Sequence, residues 1–102
     1  MQILEEDNIT SFDVDGTLIN SHDEPRYEVI DLFRWFQDNT TCDVIIWSGG
    51  GIDYSKQWAR KLGLYPRNVY EKCSIDVDIA VDDAMDTENW GNDHKCKVVI
   101  KV

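Results

Sequence analysis

The sequence predicts an α/β domain built on a small, mostly parallel sheet of four to five strands. Three observations predict it. Asp43–Ser48, Asp78–Asp83 and Lys97–Val102 are short, nearly unbroken apolar runs of the kind found in strands buried on both faces. Stretches with apolar residues at helical spacing separate the early runs, and strand–helix alternation is the signature of parallel pairing. Polar, chemistry-bearing residues then close the runs at their carboxyl ends, outside which open α/β sheets hold their ligands.

Taken in order, a first strand runs over about Asn8–Asp15 and stops on Gly16, which permits a sharp turn out of the sheet. Leu18–Glu24 makes a short exposed flap, and Pro25 opens a helix where its missing N–H does no harm. Val29, Leu32, Phe33 and Phe36 face the sheet in that helix, Asp31, Arg34, Gln37 and Asp38 face out, and Asn39-Thr40-Thr41 ends it. The second strand, Asp43–Ser48, leads through Gly49-Gly50-Gly51 into a helix from about Asp53 to Leu62. Tyr54, Trp58 and Leu62 form its stripe, and Gly63 stops it. A third strand over Asn68–Lys72 is short, irregular or absent, because only Cys73–Val77 separates it from the next and parallel neighbours need a crossover of about ten residues. Asp78–Asp83, a helical turn near Asp86–Trp90, and Lys97–Val102 complete the order.

With 102 residues the chain makes one domain, 1–102, with a single core, and 42% apolar residues suffice to fold it. The net charge of −10, with Lys and Arg scattered, excludes the broad basic face by which proteins grip nucleic acid; only a local contact, such as a phosphorylated end, remains open. Met1–Asp7 is polar and acidic, unlike a signal peptide, and no apolar run reaches the ~18 residues of a membrane span. Cys42, Cys73 and Cys96 share no C-x-x-C spacing and read as free thiols in a reducing cytoplasm.

The chemistry begins at Thr10-Ser11-Phe12-Asp13-Val14-Asp15-Gly16-Thr17. Period-2 geometry points Asp13 and Asp15 the same way at a strand tip, and two carboxylates about 4 Å apart repel by roughly 4 kcal/mol at an effective dielectric near 20. Such a pair calls for a proton or a cation. Asp82 and Asp83 end another strand; alternation means that one reaches a metal while the other orients water or backbone. Carboxylates with a backbone carbonyl, that of Asp15, suit Mg2+. The H-x-C pair His94/Cys96 has no further soft ligand in reach. Ser48, followed by three glycines ahead of a helix, offers a hydroxyl and unhindered N–H groups to an anion. Asp53 at the expected N-cap opposes that anion unless it is occupied in capping.

The D-x-D-G-T string resembles the nucleophile motif of the haloacid dehalogenase superfamily, most of whose members are magnesium-dependent phosphohydrolases. An apolar strand ending in Ser, a Lys, and a strand ending in Asp-Asp follow in that family's order over nearly the whole chain. The resemblance implies a three-layer Rossmann-like core. It makes Asp13 the nucleophile that forms an aspartyl-phosphate, Asp15 the general acid and base, and Gly16, Thr17, Ser48 and Gly49 the phosphoryl-binding residues. It places Mg2+ on Asp13, Asp15 and Asp83, with Asp82 close behind and Asp86 further out. It also requires a lysine to hold nucleophile and phosphoryl in register: Lys72, with Lys56 as rival. In short capless relatives a Pro usually follows that lysine, and here it is Cys73.

The seven residues Leu18–Glu24 leave no room for a cap domain after the motif. Selection of a phosphorylated substrate then falls to Asn20, Ser21 and His22, to Trp90, or to an oligomer or partner chain acting as lid, while Trp35, Trp47 and Trp58 read as core. The expected function is a Mg2+-dependent phosphomonoesterase. Its alternative is a non-catalytic metal-, phosphate- or partner-binding module on the same fold. A receiver-type phospho-signalling domain fits less well, since its phosphorylated Asp lies on the third strand.

Overall fold

The structure is a computed structural model that describes residues 8–83 and 96–102. Met1–Asp7, the expected turn at Asp86–Trp90 and the side chains of Asp86, Trp90 and His94 lie outside the described residues. The elements are β1 (Ile9–Asp13), α1 (Tyr27–Asn39), β2 (Asp43–Ser48), α2 (Ile52–Leu62), β3 (Asn68–Glu71), β4 (Val77–Asp82) and β5 (Cys96–Lys101). All the pairings are parallel, in the order β3-β2-β1-β4-β5. The α/β class and the mostly parallel sheet are therefore as the sequence predicts.

The strand carrying the D-x-D motif is the central one. Phe12 pairs with Ile46 on one side and Val81 on the other, and Asp13 lies beside Trp47. The tips of β1, β2 and β4 thus finish together, which brings Asp13, Ser48 and Asp82 to one edge. Strand order also reverses at β1, with β2 and β3 to one side and β4 and β5 to the other. A crevice opens at such a switch point.

Both helices pack on one face. Phe12 is fully buried there and meets the rings of Phe33 (5.0 Å) and Phe36 (6.2 Å) edge-on, in a cluster that includes Val14, Val29, Ile30, Val44, Ile46 and Ala59. The opposite face presents Ile45, Trp47, Val77 and Ala80, and Cys73 and Ile75 pack against it. Among the described residues, an irregular segment running from Lys72 to Asp76 covers that face, where the three-layer expectation has helices.

The third strand exists and is short, at four residues, one of the outcomes expected. β3 is regular but lies at the sheet edge beside β2, with β2 and β1 between it and β4. β3 and β4 are parallel, so the chain still crosses back to the opposite end of the sheet, and it does so under the intervening strands without a helix. A left-handed residue, Cys73 at φ +63°, starts the passage, and the Ser74 amide closes a turn on the Glu71 carbonyl at 3.1 Å.

Helix α1 begins at Tyr27, two residues after Pro25, because Pro25 is held in a bridge with Ile19. Its buried stripe is Val29, Ile30, Phe33 and Phe36, with Leu32 half-buried. Trp35 departs from expectation: it is 52% exposed and lies edge-on against Phe36 at 5.3 Å. Trp47 is core, and Trp58 is half-buried under the Lys61 ammonium. In α2 the N-cap is Gly51, not Asp53, and Gly63 at φ +69° turns the chain out of the helix. Cys42, Cys73 and Cys96 are free thiols. Among the described residues no helix is long and apolar enough to cross a membrane.

Since Phe12 joins the central strand to Phe33 and Phe36 of α1, Phe12→Ala is expected to cost about 3–5 kcal/mol. Urea unfolding checks this through a lower midpoint at unchanged slope.

Candidate active site

Asp13 is the last residue of β1, and the chain coils immediately beyond it. The Val14 carbonyl accepts the amides of Thr17, Leu18 and Ile19 at 3.2, 3.0 and 3.1 Å, which turns the backbone sharply. Gly16 sits in that coil at φ +78°, a conformation costly for any residue with a Cβ. A Cβ there would also collide with the carboxylate of Asp83. The turn thus calls for glycine, and any side chain there would also displace the exposed Asp83 carboxylate.

One carboxylate oxygen each from Asp13, Asp82 and Asp83 lies within 4.8 Å of the other two. Asp82 is fully buried and Asp13 nearly so, while Asp83 faces solvent. The alternation rule separates Asp82 from Asp83 only within a strand. Asp83 lies one residue past the end of β4, so both reach the cluster. Lys72, just past β3, places Nζ 2.8 Å from Asp82 Oδ2 and 3.5 Å from Asp13 Oδ2. Lys56, the rival, is exposed on α2.

Three carboxylates share one ammonium, and the proton affinities respond. Burial, opposed by Lys72 and assisted by Asp82 and Asp83, pushes the Asp13 carboxyl up to about 7 from an ordinary 3.8. Partial burial, with Asp82 beside it, also raises Asp83. Burial works against the charge on Lys72, but the hydrogen bond to Asp82 and the fields of Asp13 and Asp82 outweigh it, so the ammonium holds its proton more tightly than usual. The donor set consists of hard oxygens, matching the preference of Mg2+.

Asp15 does not join this cluster, because the strand ends at Asp13 and period-2 geometry no longer applies to it. Its exposed carboxylate accepts a 2.6 Å hydrogen bond from the Tyr54 hydroxyl. That bond, followed by partial burial, raises the proton affinity of the phenol. Ser48 is buried at the tip of β2. Its Oγ accepts the Gly50 amide at 3.0 Å, and its carbonyl takes the amides of Gly51 and Lys72 at 3.2 and 3.1 Å. Ser48 stands at the same sheet edge as Asp13, one residue beyond the Asp13–Trp47 pair. Gly49 is exposed, with open space where a Cβ would stand. Thr17 is fully buried in the turn, and its Oγ1 has no hydrogen-bond partner among the described residues.

The flap is braced by its own polar groups. Asn20 Oδ1 accepts the amides of His22 and Glu24 at 2.8 and 3.0 Å, which commits Asn20 to structure and leaves Ser21 and His22 exposed. Arg26 Nη1 donates to the Gly16 carbonyl at 2.6 Å, fixing the motif loop from below. The sequence reading passed over Arg26 and Tyr54 as functional residues. Tyr54 carried one usable signal, its place in the first turn after a glycine run; Arg26 carried none, since its partner is a backbone carbonyl. No family model, curated protein or solved structure matches the chain.

Two outcomes follow from this geometry. Because the folded Asp13 holds a proton that the unfolded chain releases above 3.8, the metal-free protein loses stability as pH rises from about 4 to about 7. Asp13→Asn removes that loss, so at pH 8 the variant should be more stable than wild type by about 1–3 kcal/mol, the gain vanishing near pH 4. Thermal melts in chelator across that range check it. Gly16→Ala should lower stability by about 1–3 kcal/mol through its φ and the displaced Asp83, read by the same melts.

Proposed function

We propose that this protein is a Mg2+-dependent phosphomonoesterase that works through an aspartyl-phosphate on Asp13, as a capless haloacid dehalogenase-like enzyme would. The observation that carries the reading is the convergence of the motif carboxylate with Lys72 at 3.5 Å and with Asp82 and Asp83, side chains remote from it in sequence, on one edge of the sheet. Mg2+ fits Asp13 and Asp83, with the Asp15 main-chain carbonyl as a third protein oxygen; Asp82 is committed to Lys72. When bound, the ion offsets phosphoryl charge and favours the ionised form of Asp13.

In this reading an Asp13 oxygen attacks phosphorus as the bond to the leaving oxygen breaks, and Asp15 delivers a proton to that oxygen. Asp15 then takes a proton from water as the water attacks phosphorus and frees Asp13. Lys72 supplies positive charge beside the nucleophile, held in place by its bond to Asp82. The Ser48 hydroxyl and the amides after it receive phosphoryl oxygens. Free thiols and the small acidic chain fit the cytoplasm.

The second reading, a metal- or phosphate-binding module without turnover, draws on one observation: Asp15 stands outside the carboxylate cluster and is bonded to Tyr54. p-Nitrophenyl phosphate separates the two. The wild type should turn it over with Mg2+ and stop on chelation. Asp13→Asn should lose roughly 10³-fold or more and Lys72→Met roughly 10²-fold. Robust turnover by Asp13→Asn would end the aspartyl-phosphate mechanism, and Mg2+ binding with no turnover across nucleotides, sugar phosphates and phosphorylated DNA ends would establish the second reading.

A further inference from the structure

We infer that Tyr54 is a positioning residue that fixes which oxygen of Asp15 carries the transferable proton, and so governs turnover of phosphate esters with poor leaving groups. The inference rests on the phosphatase reading above and extends it to a residue that reading does not use.

Three observations converge. The Tyr54 hydroxyl donates to Asp15 Oδ1 at 2.6 Å, within the range of a charge-assisted O–H···O bond. Tyr54 stands on α2, which follows the Ser48–Gly51 turn, so the bond ties the β2 loop to the β1 loop. Its ring lies against Gly50, where a Cβ would be 2.9 Å from Tyr54 Cδ2; the glycine makes room for the ring on its way to Asp15. Asp15 is otherwise exposed and outside the carboxylate cluster, so nothing else among the described residues is seen to hold its carboxylate.

The chemical consequence follows from the occupancy of Oδ1. A phenol that donates to Oδ1 leaves that oxygen as an acceptor, and a proton on the carboxyl group then resides on Oδ2. During phosphoryl transfer the proton moves from Oδ2 to the departing oxygen while the bond from that oxygen to phosphorus breaks and the bond from Asp13 forms. Oδ2 then accepts the proton of the attacking water as the Asp13–phosphorus bond breaks. Without the phenol, the carboxyl group is free to rotate and its proton to sit on the wrong side. A leaving group that departs readily as an anion needs no such proton; a phenol or an alkyl alcohol does.

The test compares kcat/KM for 2,4-dinitrophenyl phosphate and phenyl phosphate in Mg2+, for the wild type, Tyr54→Phe, Asp15→Ala and the double variant. Tyr54→Phe removes one oxygen and keeps the ring on Gly50. Its expected loss is about 10-fold on phenyl phosphate, a part of the roughly 10²–10⁴-fold that general acid catalysis contributes, and under about 2-fold on the dinitrophenyl ester. Undiminished turnover of the latter is itself the check that the variant is folded. The double variant should be no worse than Asp15→Ala, the non-additivity expected when one residue acts through another. Equal losses on both esters, no loss on either, or losses that multiply in the double variant would overturn the role of Tyr54 while leaving the phosphatase reading intact. A wild type inert towards both esters would overturn the phosphatase reading and this inference with it.

Discussion

Asp82 is fully buried at the end of β4, and a buried carboxylate needs a partner. Its partner is Lys72, which belongs to β3's end of the sheet, with two strands in between. An ion pair of this kind contributes little net stability, since desolvation of both groups offsets most of their attraction, yet removing one member costs about 3–5 kcal/mol. Its structural effect is therefore to exclude alternatives. Any register of β3 or β4 that separated the two groups would strand a buried charge. The short passage from Lys72 to Asp76 beneath β2 and β1 is the connection that allows the pair to form, and the pair in turn sets Asp13 and Asp83 around the same point.

The loops at this edge are held from several directions. The Val14 carbonyl gathers three amides, Arg26 grips the Gly16 carbonyl, Asn20 braces the flap, and the Ser48 carbonyl joins the start of α2 to the end of β3. Groups held in this way do not need to be ordered when a ligand arrives, which is where much of the power of a catalytic site comes from. Asp15 is the exception. It hangs from the turn by its backbone, and its side chain is tethered through one phenol.

Much of this was legible in the sequence because it depends on local pattern. The apolar runs of β2 and β4, the stripe of α1 and the glycine turn after Asp13 all follow from period and turn chemistry, whereas Lys72, which lies beside Asp13, was singled out only by the family resemblance. What escaped depends on contacts between elements. The edge position of β3 could not be read from Asn68–Glu71, because parallel order is set by which strand it joins and not by its own residues. Asp13 and Asp15 were paired by strand geometry, but the strand ends between them. Asp82 and Asp83 were kept apart by the same rule for the mirror reason: the strand ends between those two as well. Thr17 looked like a ligand residue from its place in the motif, and only packing reveals that the turn encloses it.

Cys73 shows how a departure from a motif can be accommodated in the fold. The family pattern resembled by this chain has proline after the lysine, and proline is locked near φ −65°. Cys73 has φ +63°, a conformation closed to proline and uncommon for cysteine. The left-handed turn sends the chain under the sheet at once, and the Cys73 side chain packs with Trp47 and Ile75 on that face. Burial of the thiol raises its proton affinity, Lys72 pulls against it and the fields of Asp82 and Asp13 add to it, so the sulfur sits there as a small neutral hydrophobe. A longer connection, with a helix of its own, would reach β4 without such a turn. In this chain the brevity of the Lys72–Asp76 passage requires the strained residue, and the packing of its side chain against Trp47 offsets the cost.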